Sequence, residues 1–532
     1  MRQVHSKSWL LASVSGVLQI VAFPLPSLYM MCWIALAPLL VAVLHAREAD
    51  TLQLSDSPGI KRVPANVGQG FVLGYLSGII WYAGTCYWVY DTMHQYGGLS
   101  APAALGVLLL FCLYLALYHG AFAALLALVA DPGSPLSRRA LLSASFLWVA
   151  VELARTRITG FPWDLLGTVQ VDNIPLARIA RFTGVYGLSF EIMLVNTAFA
   201  TAFLVRRDKR KTLLIAGLCA AVALQAGRWI APPPPPSDHL AYLVQQNIPV
   251  LDSSGWTKDY FEGTLRDLLW ISEKPTSEGA QKPDLIVWPE SPAPFYTSDP
   301  LFRDTVSNLA RPMHTWVLTG SLGVRNATQV PEEGTAVYNS AALVGPDGEW
   351  IARYDKVHLV PFGEYLPFQK VFSFAGGLTK EVGDFSRGTS RAPLSADGQK
   401  LGVFICYESV FPDEVRQFVK NGAQVLVNIS NDGWYGDSGA YAQHLMQSRV
   451  RAVENDRWLL LDTNTGVTAS IDPYGRIAKS LPRKIRATLP VPYALTNVTT
   501  FYTRHGDWFA HLCAIISLGA LLTRFLFRAK TG

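Results

Sequence analysis

Charge is scarce in this chain. Only 16% of its 532 residues are Asp, Glu, Lys or Arg, while half are hydrophobic. That balance excludes a purely soluble protein and fits a membrane protein carrying a soluble domain. The formal net charge of +5 is not gathered into a basic stripe with interleaved aromatics, which argues against a nucleic-acid partner. His358 and His444 stand in no His/Cys/Asp spacing of a zinc site, so neither a metal nor a cofactor is called for. No internal repeat is visible, and the run Pro232–Pro236 is the only low-complexity stretch. Five of the six cysteines (Cys32, Cys86, Cys112, Cys219, Cys513) lie in apolar stretches; Cys406 alone lies in the long polar stretch after the proline run. A thiol with no disulfide partner in its own domain is either buried and inert or kept for its reactivity.

What is abundant is apolar sequence. Seven apolar segments, at 8–23, 28–45, 67–90, 102–130, 138–155, 180–205 and 212–230, precede the proline run, and an eighth covers 508–527. Most reach the roughly 20 residues a helix needs to cross about 30 Å of hydrocarbon. Lys and Arg alternate with them. Arg2 and Lys7, then Arg47, Lys61 and Arg62, then Arg138 and Arg139, then the cluster from Arg206 to Lys211, and finally Arg528 and Lys530 mark one side. The connections at Pro24–Ser27 and Asp91–Ala101 carry none; Arg157 and Arg178 in the fifth connection break the pattern mildly. The positive-inside rule therefore places both termini in the cytoplasm and 231–506 on the opposite face. The aromatic fifth connection, with FPWDLLG and Trp163, reads either as a partly inserted interfacial segment or as a loop packed on the outer domain.

Pro232–Pro236 predicts a stiff polyproline II spacer of about 15 Å. Beyond it, apolar runs alternate with amphipathic ones. Strands are expected at 240–247, 284–290, 315–320, 338–344, 350–356, 401–406, 424–430, 458–463 and 467–473, and helices near 257–273, 299–311, 411–421 and 440–456. Several strands are apolar on both faces, which suits a sheet covered on each side and a layered α/β domain. The expected division is a membrane domain over 1–230, a linker over 231–237, an extracytoplasmic domain over 238–498, and a last span with a cytoplasmic end over 499–532.

Three polar residues end strand candidates, where α/β domains tend to place ligands and catalytic groups. They are Glu290 after DLIVW-Pro, Lys356 after WIARYD and Cys406 after LGVFI. A carboxylate can take the thiol proton and return it to a leaving group; an ammonium favours the thiolate and stabilises an oxyanion. The backbone N–H of Tyr407 is a second oxyanion donor candidate. Singly, each residue also fits a blander role: a cap or salt-bridge partner, a solvated strand end, a core filler.

The runs WPE (288–290), YDKVHLVPFGEYLP (354–367) and CYES (406–409) resemble the Glu-Lys-Cys signatures of the nitrilase superfamily. GEYLP, QQNIP with Trp256, and NTGVTASIDPYG (464–475) resemble more narrowly the bacterial apolipoprotein N-acyltransferases. The resemblance implies a polytopic α-helical membrane domain of eight spans plus an α/β nitrilase-like αββα sandwich on the periplasmic face of the inner membrane. It implies an acyl transfer from a phospholipid donor, through a thioester, to the α-amino group of a diacylated apolipoprotein acceptor. Carried over by motif, Cys406 is the nucleophile, Glu290 the general base and Lys356 the oxyanion-stabilising cation. Glu364, Tyr407, Glu408 and Trp256 match further family positions, as supporting or substrate-binding residues. Glu364 either assists proton transfer, positions Lys356, or anchors its loop. The segments 361–377 and 433–441 and the aromatic fifth connection are expected as mobile gates, or as aromatic packing against the spans. A membrane-tethered amidase with the same triad is the alternative activity. A transporter whose outer domain only binds ligand is disfavoured by the few ionisable residues in the spans.

Overall fold

The protein is described here from a computed structural model covering residues 4–48, 62–131, 137–205, 207–251, 255–291, 293–324, 336–361, 363–365 and 385–531. The chain separates into two compact units: residues 1–90, 105–231 and 505–532 form one, and 91–104 with 232–504 form the other.

The first unit is helical. Ala101–Val129, Val185–Leu204 and Lys209–Trp229 are helices long and apolar enough to cross a membrane, by length and composition. Helices also occupy Ser6–Ala22, Val67–Thr85, Arg138–Ala154 and Trp508–Thr531. The expected span at 28–45 is shorter than a continuous helix. It is a 3-10 turn at Tyr29–Trp33 and a helix of only 8 residues at Ala37–Leu44, with Pro38 in its first turn. At 1.5 Å per residue that helix rises about 12 Å. Helix Val67–Thr85 lies very close to Ala101–Val129: a Cβ on Gly74 would sit 2.3 Å from the His119 carbonyl oxygen, so no larger residue fits there. The fifth connection makes contacts within the first unit. Trp163 is buried among the first unit's own aromatics, 5.0 Å from the Trp88 ring, and Glu152 accepts the Leu166 N–H at 2.8 Å. Close approach of Gly167 to the Val185 carbonyl seats this segment on helix Val185–Leu204.

The second unit is a two-sheet α/β domain. Its strands are β1 (His239–Gln245), β2 (Leu285–Trp288), β3 (Trp316–Val324), β4 (Val337–Val344), β5 (Trp350–Asp355), β6 (Leu394–Ala396), β7 (Gln399–Ile405), β8 (Val425–Ser430), β9 (Leu459–Thr463), β10 (Thr468–Ile471), β11 (Ile477–Leu481) and β12 (Ala487–Tyr493). The first sheet runs β12-β1-β2-β3-β4-β5 and the second β11-β10-β9-β8-β7-β6. In each, three neighbours are parallel, β1 to β3 and β7 to β9, and antiparallel strands flank them. The sheets meet through contacts such as the Val244 N–H donating to the Asp462 carboxylate at 3.2 Å.

Helices cover the outer faces for reasons visible in their spacing. Lys258–Ser277 is capped by Thr257, whose hydroxyl accepts the Tyr260 N–H, and buries Leu265, Leu268 and Ile271 on one stripe. Pro300–Met313 starts at the Asp299 cap with proline in its first position and buries Phe302, Val306 and Leu309. Their side chains join Tyr242, Ile286 and Trp288 in one apolar cluster, at about 1.5–3 kcal/mol per fully buried large side chain. Pro412–Lys420 and Ala440–Asn455 are the two helices that follow β7 and β8. The proline run does not stand free: the Pro232 and Pro233 carbonyls accept hydrogen bonds from Arg476 at 2.5 and 3.3 Å.

Candidate active site

Each of the three candidate residues stands just past the end of a strand. Glu290 lies two residues beyond β2, Lys356 one beyond β5, and Cys406 follows β7 directly, opening the 3-10 turn Cys406–Val410. Cys406 has φ +51°, a left-handed conformation that costs a non-glycine residue on the order of 1–2 kcal/mol. The strand thus stops sharply and turns its thiol out of the sheet.

Around them a polar group is sealed from water. Glu290, Lys356, Glu364 and Cys406 are all buried. The Lys356 ammonium is 2.8 Å from Glu364 Oε1 and 3.6 Å from Glu290 Oε1. Asn339, in the middle of β4, places one amide nitrogen 2.7 Å from both Glu290 Oε1 and Glu364 Oε1, so its two hydrogens hold the two carboxylates. The other Glu290 oxygen accepts the Asn431 N–H at 2.7 Å, and the other Glu364 oxygen the Val360 N–H at 2.8 Å. Burial disfavours the Lys356 charge, but Glu364, Glu290 and Cys406 outweigh it and hold the ammonium firmly protonated. Burial first, then the Glu290 charge, pushes the Cys406 thiol well above its ordinary range; Lys356 and a hydrogen bond from Ser430 pull it back only in part. These influences together favour the thiol over the thiolate.

Glu408 is the joint between the sheets. Its carboxylate accepts the N–H groups of Val357 and His358 at 2.8 and 2.9 Å, the Ile405 N–H at 2.7 Å and the Tyr354 hydroxyl at 2.8 Å. One side chain thereby fixes the chain on both sides of Lys356 and just before Cys406. Tyr407 is buried, with its ring edge-on to Phe411 at 5.1 Å. Trp256 is not among these groups: its ring meets Tyr260 and Phe295, at the margin of the apolar cluster of the first sheet. Of the expected gates, 433–441 is described and overlaps a 3-10 turn at Asp432–Tyr435. Apart from Pro361 and Gly363–Tyr365, the segment 361–377 lies outside the described residues.

Two parts of the site escape a reading of the sequence. Asn339 sits inside an apolar run with nothing to mark it. His444, considered only as a metal ligand, instead touches Ser409 and the Cys406 carbonyl, and faces Asp432. The available signal was weak: a histidine on the inward stripe of an amphipathic helix.

Chemically, a buried carboxylate, ammonium and thiol with a backbone N–H after the thiol suit covalent acyl chemistry. A family model described as carbon-nitrogen hydrolase matches residues 241–499, and one described as apolipoprotein N-acyltransferase N-terminal domain matches 15–198. The apolipoprotein N-acyltransferase of Geobacter metallireducens is 36% identical over 99% of this chain and 97% of its own length. That of Bordetella bronchiseptica is 34% identical, covering 93% of this chain and 92% of its own. Among solved structures, an amidase from Nesterenkonia sp. AN1 aligns with 52% of this chain and 98% of its own, at 20% identity and a TM-score of 0.36.

Proposed function

Because this chain belongs to the apolipoprotein N-acyltransferase family, we propose that it moves an acyl chain from a phospholipid to the α-amino group of the S-diacylglyceryl-cysteine that begins a processed lipoprotein. The observation that carries this reading is the sealed cluster of Glu290, Lys356 and Glu364 charged against the Cys406 thiol.

The reaction runs in two halves. Glu290 takes the Cys406 proton, and the thiolate attacks the ester carbonyl of the phospholipid. The tetrahedral oxyanion is held by the Lys356 ammonium and the Tyr407 N–H. As it collapses, the C–O bond breaks, Glu290 returns its proton to the departing lysophospholipid alkoxide, and a thioester remains on Cys406. The lipoprotein amine then attacks the thioester, Glu290 takes its proton, and the C–S bond breaks. The thiolate recovers that proton from Glu290. A thioester suits the purpose because amines attack it readily, provided water is kept out. Glu364 holds Lys356 in place, and Glu408 holds the two strand ends together.

Both substrates are held in a bilayer by acyl chains. The reading therefore includes a multi-pass inner-membrane protein of eight spans, with residues 1–230 as membrane domain, 231–237 as linker, 238–498 as the catalytic domain on the periplasmic face, and 499–532 as the last span with a cytoplasmic end. The alternation of Lys and Arg between apolar segments supports this orientation.

The experiment is direct. Purified protein incubated with phospholipid should carry a hydroxylamine-sensitive acyl adduct on Cys406, and Cys406→Ala should fold and lose both adduct and acyl transfer. Near-normal turnover in Cys406→Ala would refute the mechanism. In cells depleted of the protein, mass spectrometry of lipoprotein N-termini should show diacylated forms accumulating.

A further inference from the structure

Beside Cys406 lies a second buried polar group that the mechanism above does not use. His444, Ser409 and Asp432 are all buried. His444 Nε2 is 2.7 Å from the Ser409 hydroxyl and 3.2 Å from the Cys406 carbonyl oxygen, while His444 Nδ1 is 3.2 Å from Asp432 Oδ1. Asp432 is held in turn by the Ser430 hydroxyl at 2.7 Å. The Asn428 amide also approaches the Cys406 carbonyl, at 3.5 Å.

The Asp432 carboxylate and the Cys406 carbonyl are both acceptors. A ring that satisfies both carries a hydrogen on each nitrogen, as an imidazolium. Burial opposes that charge, yet Asp432, the Cys406 carbonyl and Glu290 together raise the His444 affinity for a proton above the ordinary value. The Tyr435 ring lies 6.3 Å away.

The consequence comes from peptide geometry. The Cys406 carbonyl and the Tyr407 N–H are two ends of one planar unit, pointing in opposite directions. Whatever fixes the carbonyl aims the N–H. Cys406 is already in the left-handed region, a strained conformation that its surroundings must hold in place. We propose that His444, steadied by Asp432 and Ser409, is a positioning residue that clamps the Cys406 carbonyl and so aims the Tyr407 N–H at the oxyanion of the reacting ester. The proposal rests on the acyl-transfer reading, because only a reaction that forms an oxyanion needs that N–H.

Two reactions of the same sulfur separate this role from general support. Alkylation by iodoacetamide displaces iodide at a saturated carbon and forms no oxyanion. Acylation by p-nitrophenyl caprylate does form one, and nitrophenolate release reports its rate. In the full-length detergent-solubilised protein, His444→Phe should leave alkylation of Cys406 within about threefold of wild type. It should lower acylation by about 10²-fold, the scale of losing or misaiming one oxyanion donor. His444→Gln, which keeps a neutral N–H donor, should recover part of the acylation rate. Where His444→Phe does not accumulate, the same ratio is read in His444→Gln and Asp432→Asn, and it should again fall. Variants whose two rates fall in step, or whose ratio stays at the wild-type value, overturn the clamp while leaving the acyl-transfer reading intact. A wild type that is alkylated at Cys406 but never acylated overturns that reading, and the clamp with it.

Discussion

Asn339 offers the sharpest test of how the polar cluster is held. Its amide gives both hydrogens to carboxylates, each at 2.7 Å. Asn339→Leu keeps the volume and removes both donors. Hydrogen bonds to charged groups contribute about 1.5–3 kcal/mol each, so the two are worth about 3–6 kcal/mol. The lower end applies, because Glu290 keeps the Asn431 N–H and Glu364 keeps Val360 and Lys356. For a domain of this size 1 kcal/mol moves the unfolding midpoint by about 2–4 °C, so a loss of about 3 kcal/mol should lower it by about 6–12 °C. Glu290, freed on one side, loses its aim at the thiol, and Cys406 acylation should fall by about 10²-fold. The assays are thermal unfolding in detergent and the rate of acyl-adduct formation. Asn339→Asp adds a pH arm. A third carboxyl beside two carboxylates has its folded proton affinity raised, so its stability should be nearest that of Asn339→Leu in acid and fall below it as pH rises. An Asn339→Leu midpoint within about 2 °C of wild type, with acylation within about threefold, would refute the view that this amide holds the cluster.

Glu290→Gln should move two readouts in opposite directions. Turnover should drop by about 10²–10⁴-fold with loss of the base. Iodoacetamide alkylation at neutral pH should quicken, because the Glu290 charge helps keep the thiol protonated; in the wild type that rate should keep climbing with pH beyond the ordinary thiol range. Glu408→Gln turns an NH₂ toward N–H donors and should destabilise the protein by about 2–4 kcal/mol, seen as a lower unfolding midpoint. Gly74→Ala should destabilise the helical unit, since its Cβ would lie 2.3 Å from a backbone oxygen, and lower the yield of monodisperse protein in detergent.

Much of this fold was legible because its strands are short apolar runs with clear ends. All nine expected strands exist within a residue or a few of their expected bounds. Among the described residues of the two-sheet domain, the three strands that were not expected are edge strands with little apolar signal. Ile477–Leu481 is largely exposed, Leu394–Ala396 has three residues, and Ala487–Tyr493 contains Pro490 and Pro492, which an edge strand tolerates and a central one does not. Glu290, Lys356 and Cys406 were legible for the same reason, as polar residues that stop apolar runs. Asn339 was not, because a polar residue inside a strand carries no mark of what lies across from it. His444, Asp432 and Ser409 are separated by 12 to 35 positions, and only the packing of helix Ala440–Asn455 on the nucleophile turn brings them together. Trp256 was grouped with the site by motif; its ring meets Tyr260 and Phe295 at the margin of the apolar cluster.

The Glu408 joint has a consequence for how the protein comes into being. Glu290 and Lys356 follow strands of the first sheet and Cys406 a strand of the second, and Glu408 makes its full set of hydrogen bonds only when both are in place. A nascent chain that has paired only β1 to β5 holds Glu290 and Lys356 before Cys406 has been made. A chain that has built the second sheet alone holds a thiol with no base. On the proposed mechanism, reactivity therefore waits for one event, the docking of the two sheets.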